Sequence, residues 1–301
     1  MSCLKSTAPI NITEKKKIDT CLEKCNLQVD YSNSDCVVTN KGDHLLITYD
    51  RSAKEPVIYN NDSLNVSQIR IYRPSLHRFE GRQADAEMVI FHSSTGKNLL
   101  ICIPITKSSN DSIGGLALSH IFKKALKYAI NEDEQTQVSF HSTVKFNLND
   151  FVKKQTPFYS YTGTLMYPPC SGTYNYVVFK PSDAKVTLPE EDLKRLRKLI
   201  VSSEFPVKEN EYFVNKGGAR SLGINGDEIY IKCNPTGADG EVLEEFTADG
   251  TPVSSDSGAP LNWNDLIKNP VFEIVLGVIG ISVLVLVFRG VLGSLKRQRT
   301  E

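Results

Sequence analysis

The stretch Gln68-Ile69-Arg70-Ile71-Tyr72-Arg73, followed after a polar loop by Ala86-Glu87-Met88-Val89-Ile90-Phe91-His92, decides how this chain is read. From Gln68 to Tyr72 polar and apolar residues alternate, the period of a strand with one face on a core and the other toward a cleft. Glu87 to His92 is a second, shorter apolar strand. The loop between them contains Pro74 and Gly81, and pairing the strands across it makes neighbours of Arg70, Tyr72, Val89 and Glu87.

Outward from this pair the same periods recur. Leu27 to Tyr31, Cys36 to Asn40 and His44 to Tyr49 alternate as strands, with Asn40-Lys41-Gly42 as the turn between the last two. Leu99 to Ile105 is an unbroken apolar run, the pattern of a strand buried on both faces. Apolar residues then return at helical spacing from Leu118 to Ile130, leaving Lys123, Lys124 and Lys127 outward. A second helix is expected from Leu188 to Val201, with Pro189 at its start, Glu190 and Glu191 in the positive first turn, and Leu193, Leu196, Leu199 and Ile200 facing in. Glu228 to Cys233 reads as a closing strand.

These motifs resemble the α-carbonic anhydrases, in which a Gln-Phe-His-Phe-His strand and a Glu-Leu-His-Leu-Val-His strand carry three histidines on one zinc. Gln68, His77, Glu87 and His92 match framework positions at the family's spacing, and Ala8-Pro9-Ile10-Asn11-Ile12 is similar to its Ser-Pro-Ile-Asn-Ile entry. Tyr161-Thr162-Gly163-Thr164-Leu165-Met166-Tyr167-Pro168-Pro169 is similar to its Tyr-x-Gly-Ser-Leu-Thr-Thr-Pro-Pro loop. The resemblance implies an α/β fold with a large, mostly antiparallel twisted central sheet and peripheral helices over residues 1–233. It puts the zinc-ligand positions on Arg70, Tyr72 and Val89, and the residues that orient the zinc-bound hydroxide on Met166 and Leu76. Arginine keeps its proton, valine has no donor atom and a lone tyrosine is a poor zinc site. The expectation is a domain with no metal, no cofactor and no catalytic residues. Carbonic anhydrase is a standard case of zinc acidifying a water, and that chemistry has no source here.

The chain has 301 residues and a formal net charge of zero, unevenly placed. Met1 to Cys233 holds 30 Lys+Arg against 26 Asp+Glu, whereas residues 234–265 hold seven acids and no base. That acidic segment, rich in Gly, Ser and Thr, reads as a flexible linker. Residues 270–292 read as a transmembrane helix, since Val271 to Phe288 carries Glu273 as its one charge. Residues 293–301 form a short basic tail. Seven cysteines without a CxxC pair, and no apolar stretch in Met1 to Lys17, suggest reduced thiols in a cytosol-facing, tail-anchored protein. Gly277 and Gly280 leave a homo-oligomer open.

A degenerate zinc cleft, an acidic tether and a C-terminal anchor together resemble the carbonic-anhydrase-like cell-surface-binding envelope proteins of poxviruses. That resemblance implies a single-pass virion membrane protein, its large domain cytosolic during assembly and exterior on the virion. The implied partners are a host cell-surface glycosaminoglycan such as chondroitin sulfate and the lipid membrane at 270–292; nucleic acid is not one. The candidate glycan site is Arg70, Tyr72, Arg73, Arg78 and Arg82, because the guanidinium fork matches sulfate and carboxylate and a tyrosine ring stacks on sugar. Against it stand a buried Arg70–Glu87 pair with solvated loop arginines, and a competing basic surface of Lys123, Lys124, Lys127, Lys153 and Lys154. Two other readings remain: a structural tether between viral membrane and coat without glycan binding, and an enzyme with a metal relocated among His44, His77, His92, His120 and His141.

Overall fold

In a computed structural model describing residues 6–21, 25–140 and 144–221, the two deciding strands run from Asp62 to Tyr72 and from Ala86 to Ser94. They pair antiparallel, with Arg70 opposite Val89 and Tyr72 opposite Glu87, as the alternation predicts. A register shift between Val66 and Gln68 fits one extra residue into the longer strand. From Ser94 the chain turns through Gly96, whose φ of 73° suits glycine. It returns as Lys97–Lys107, setting Cys102 opposite Val89 and Leu99 opposite His92.

Among the described residues fourteen strands join one mixed sheet. Its main path runs Gln135–Val138, Cys36–Asn40, Leu45–Ile47, Asp62–Tyr72, Ala86–Ser94, Lys97–Lys107, Tyr174–Phe179, Phe158–Gly163, Tyr212–Asn215 and Lys17–Thr20. Most neighbours are antiparallel. Lys97–Lys107 is parallel to Tyr174–Phe179, and this is the strand buried almost throughout, matching its unbroken apolar run.

The two-residue period of the central strands divides the interior into two layers. Ile69, Ile71, Met88, Ile90, Leu99, Ile101 and Ile103 face the first layer; Tyr72, Val89, Phe91, Leu100, Cys102 and Tyr176 face the second. Among the described residues three α-helices accompany the sheet: α1 (Ile113–Tyr128), α2 (Pro181–Ala184) and α3 (Glu190–Leu199). Helices α1 and α3 bury Leu118, Ile121, Phe122, Ala125, Leu193, Leu196 and Leu199 in the first layer, each large aliphatic side chain contributing about 1.5–3 kcal/mol.

Helix α1 begins five residues earlier than its apolar period suggests. Ser112 caps it, its Oγ accepting from the Gly115 N–H at 3.0 Å. The next turn contains Gly114 and Gly115, poor helix formers by composition. A Cβ on Gly115 would lie 2.2 Å from the Thr187 carbonyl oxygen, so close approach to the neighbouring strand Val186–Leu188 requires glycine there.

The cysteines depart from the expectation of reduced thiols. Among the described residues Cys21 and Cys25 form a disulfide, Cys170 is also disulfide-bonded, and Cys36 and Cys102 are free and buried. The Cys21 and Cys25 Cα atoms are 5.8 Å apart, within bridging range. Among the described residues no helix is long and apolar enough to cross a membrane. The expected strand Glu228–Cys233, the linker 234–265, the span 270–292 and the tail 293–301 lie outside the described residues.

Candidate functional site

At the centre of the second layer, the three positions that the resemblance assigns to zinc stand side by side on paired strands. Val89 is fully buried and presents only an isopropyl group. Tyr72 is 1% exposed, its ring 5.1 Å from His44 and 5.7 Å from Phe205, centroid to centroid. Burial pushes its hydroxyl pKa up to about 12, although the Arg70 charge opposes the rise. Arg70 lies over the ring of Tyr167, its guanidinium carbon 3.7 Å from the centroid, with Phe91 at 5.6 Å. Its Nη1 is 3.3 Å from the Tyr72 hydroxyl, and its Nε and Nη2 reach Gln68 Oε1 at 3.4 and 3.3 Å. A guanidinium, a phenol kept protonated and an isopropyl group do not make a zinc donor set.

Around this centre the other two marked positions are apolar and enclosed: Met166 has no exposed surface and Leu76 is buried. Met166, Tyr167, Phe91 and Tyr72 belong to one apolar cluster. The cleft is filled by side chains, Tyr167 also touching Phe91 edge to face at 5.5 Å. Tyr72 is thereby closed to a sugar ring, which corrects its expected stacking role.

Two residues along the strand from Val89, and opposite Tyr72, Glu87 opens a polar cluster of different character. The Glu87 carboxylate accepts from the His77 backbone N–H at 2.9 Å and faces His77 Nδ1 at 2.6 Å, while His77 Nε2 is 2.8 Å from the Tyr161 hydroxyl. With Nδ1–H donating to the carboxylate and Nε2 accepting from Tyr161, no donor is idle. Burial, and then the Glu87 charge to which it is hydrogen-bonded, hold the Cys102 thiol protonated. Glu87 is thus committed to His77 and Cys102, which overturns the alternative of an Arg70–Glu87 pair. Donor atoms of His77, Glu87 and Cys102 come within 4.8 Å of one another. A metal entering there would have to displace the His77 Nδ1 and Cys102 protons and break the bonds that satisfy Glu87.

Residues 3–215 match the family model described as eukaryotic-type carbonic anhydrase. This chain belongs to that family. It is 25% identical over 167 residues to alpha carbonic anhydrase 3 of Arabidopsis thaliana, covering 56% of this chain and 57% of that protein. It therefore spans little more than half the length of that curated relative. Among solved structures, a hyperthermostable carbonic anhydrase from an active hydrothermal vent chimney aligns with a TM-score of 0.56 at 20% identity, over 70% of this chain and 88% of that one. The α-carbonic anhydrase of Thermovibrio ammonificans in complex with sulfanilamide gives 0.56 at 20%, over 71% and 88%. Dioscorin complexed with ascorbate gives 0.55 at 17%, over 69% and 85%. At these identities the structures support the fold alone.

Within this carbonic anhydrase domain the five candidate glycan residues do not form one site. Arg70 is stacked and Tyr72 enclosed. Arg73 is half-buried and donates from Nε to the Ile200 carbonyl at 2.7 Å, serving the C-terminal end of α3. Burial and the nearby Arg197 charge lower its pKa. Arg78 and Arg82 are exposed and carry no ion pair among the described residues.

Sequence reasoning missed the enclosing partners: His44 and Phe205 come from distant segments and have no local signal, whereas Phe91 lies two residues from Val89 on the same strand face, where the alternation was the available clue. It also missed the cations of α3, where Lys194, Arg195, Arg197 and Lys198 stand within five residues. Their i, i+3 and i, i+4 spacing was the available clue.

Proposed function

We propose that the protein is a catalytically silent carbonic anhydrase whose domain binds sulfated glycosaminoglycans, chondroitin sulfate or a close relative, on a host cell surface. In this reading it is displayed on a virion and anchored in lipid by residues 270–292. The observation that carries it is the filled centre of the sheet, where the Arg70 guanidinium over Tyr167 stands beside Tyr72 and Val89 and offers no means of acidifying a water. Anion binding rests on the excess of Lys and Arg from Met1 to Cys233.

The test uses the full-length chain in detergent, supplied with zinc and assayed for CO2 hydration, then presented to immobilised chondroitin sulfate across a salt series. Hydration at the buffer rate, with saturable binding that weakens as salt rises, is expected. Zinc-dependent hydration, or no binding even at low salt, would sink the reading.

A further inference from the structure

Helices α1 and α3 lie on the first layer, whereas the filled cleft belongs to the second. Between them runs an open groove of about 470 Å³, lined by Leu126 of α1 and by Glu191, Lys194, Arg195, Arg197 and Lys198 of α3. From α1 come three exposed lysines, Lys123, Lys124 and Lys127, and no acid. The two helices together carry seven Lys and Arg against three acids.

Those acids are positioned so that they do not neutralise the surface evenly. Glu190, Glu191 and Asp192 occupy the first turn of α3, where the helix end favours negative charge. Arg197 pairs with Glu190, Lys194 with Glu191 at 3.0 Å, and Arg195 with Asp192. Lys107 draws on Glu190 as well, at 3.1 Å. Lys123, Lys124, Lys127 and Lys198 have no ion pair among the described residues. The lysines without an ion pair therefore lie toward the C-terminal ends of the helices, and the exposed acids Glu132, Asp133 and Glu134 that follow α1 limit the net excess there.

An aromatic ring stands on the other flank of α1, Tyr128 lying two residues past the groove-lining Leu126. Tyr128, the last residue of α1, is 51% exposed, with Lys127 Nζ 4.8 Å and Lys124 Nζ 5.9 Å from its ring centroid. Within each helix, Lys123 with Lys127 and Lys194 with Lys198 are spaced about 6 Å along the axis. Long exposed ammonium side chains on an open groove do not select a small anion. They suit a linear polymer, whose repeated sulfates meet several cations at once.

We propose that the groove between α1 and α3 is the surface on which the sulfated glycan lies. The proposal rests on the glycan-binding reading and relocates it from the filled cleft to the opposite layer. The groove is a single-helix-pair feature, so it is separable by mutation from the exposed loop that carries Arg78 and Arg82.

The experiment compares the full-length chain in detergent on chondroitin sulfate and on unsulfated hyaluronan, at low and high salt. The variants are Lys194→Glu/Lys198→Glu, Lys123→Glu/Lys127→Glu and, as controls, Tyr128→Ala and Arg78→Glu/Arg82→Glu. Each lysine pair should lose about tenfold or more in affinity, and each control less than about twofold. Unchanged thermal midpoints establish that the exposed substitutions leave the fold intact, and Lys→Gln versions serve where a reversal does not. Full binding by both lysine pairs, or equal losses in the loop pair, overturns the groove while leaving glycan binding in place. Absence of wild-type binding overturns both. Equal affinity for hyaluronan overturns the assignment to sulfate.

Discussion

Glu87 lies two residues along the strand from Val89 and opposite Tyr72, yet the group of His77, Glu87 and Tyr161 and the group of Arg70, Tyr72 and Val89 hold their places by different means. In the first, each buried polar group is bonded to another of the same group, at 2.6 to 2.9 Å. In the second, a cation is spread over an aromatic ring and the remaining space is filled by apolar side chains. The first is irreplaceable piece by piece, because each removal strands a partner in a dry interior. The second tolerates exchange, because its members fill volume and none depends on a unique donor. The lesson concerns what a framework residue is for: the residues that match the family most faithfully here are those whose loss would unfold the sheet, whatever chemistry the neighbouring positions support.

The comparison breaks most visibly at Glu87. Glu87→Ala leaves the His77 N–H groups and the Cys102 thiol without an acceptor, and should cost about 3–5 kcal/mol, the usual penalty for halving a buried polar pair. Chemical denaturation should show a large drop in midpoint with little change in slope. A cost below about 1 kcal/mol would mean that the network is not what holds this region.

His92 sharpens the same contrast by acidity. It is buried, with Nε2 2.9 Å from the Tyr31 hydroxyl, and burial lowers its pKa to about 3. The folded value lies below the unfolded one, about 6.5. The stability it contributes is thus complete above pH 6.5 and is lost as pH falls from there toward 3. Stability measured across that window should decline in the wild type and decline less in His92→Asn. An unaltered slope in the variant would exclude His92 as the source.

How much of this was legible in the sequence differs between the two groups. The alternation at Gln68 to Tyr72 and the apolar run at Glu87 to His92 were sufficient for the pairing, down to Arg70 opposite Val89, because strand register follows side-chain parity. The helices were legible from their buried faces, but the start of α1 was not, since Gly115 answers to the Thr187 carbonyl and Gly114 to the Phe151 ring, both distant in sequence. The candidate site was the least legible. Residue types named Arg70, Tyr72, Arg73, Arg78 and Arg82 as glycan ligands. Whether a guanidinium faces solvent, a ring or a helix end depends on segments that no local pattern links to it, as the contact of Arg73 with Ile200 shows.

The smallest effect belongs to Arg70. Arg70→Met keeps the length and removes the charge, so it should forfeit the cation–π contact with Tyr167, about 0.5–1 kcal/mol for a half-exposed pair. Its sharper readout is His44, whose pKa is lowered first by burial and then by the Arg70 charge. Without that charge the His44 titration should move upward, following its ring protons by NMR, yet stay below the ordinary histidine value because the burial remains. Glycan affinity should change by less than about twofold, since the charge removed lies against Tyr167 on the layer opposite α1 and α3. A larger loss would return binding to the centre of the sheet and make Arg70 part of a recognition surface.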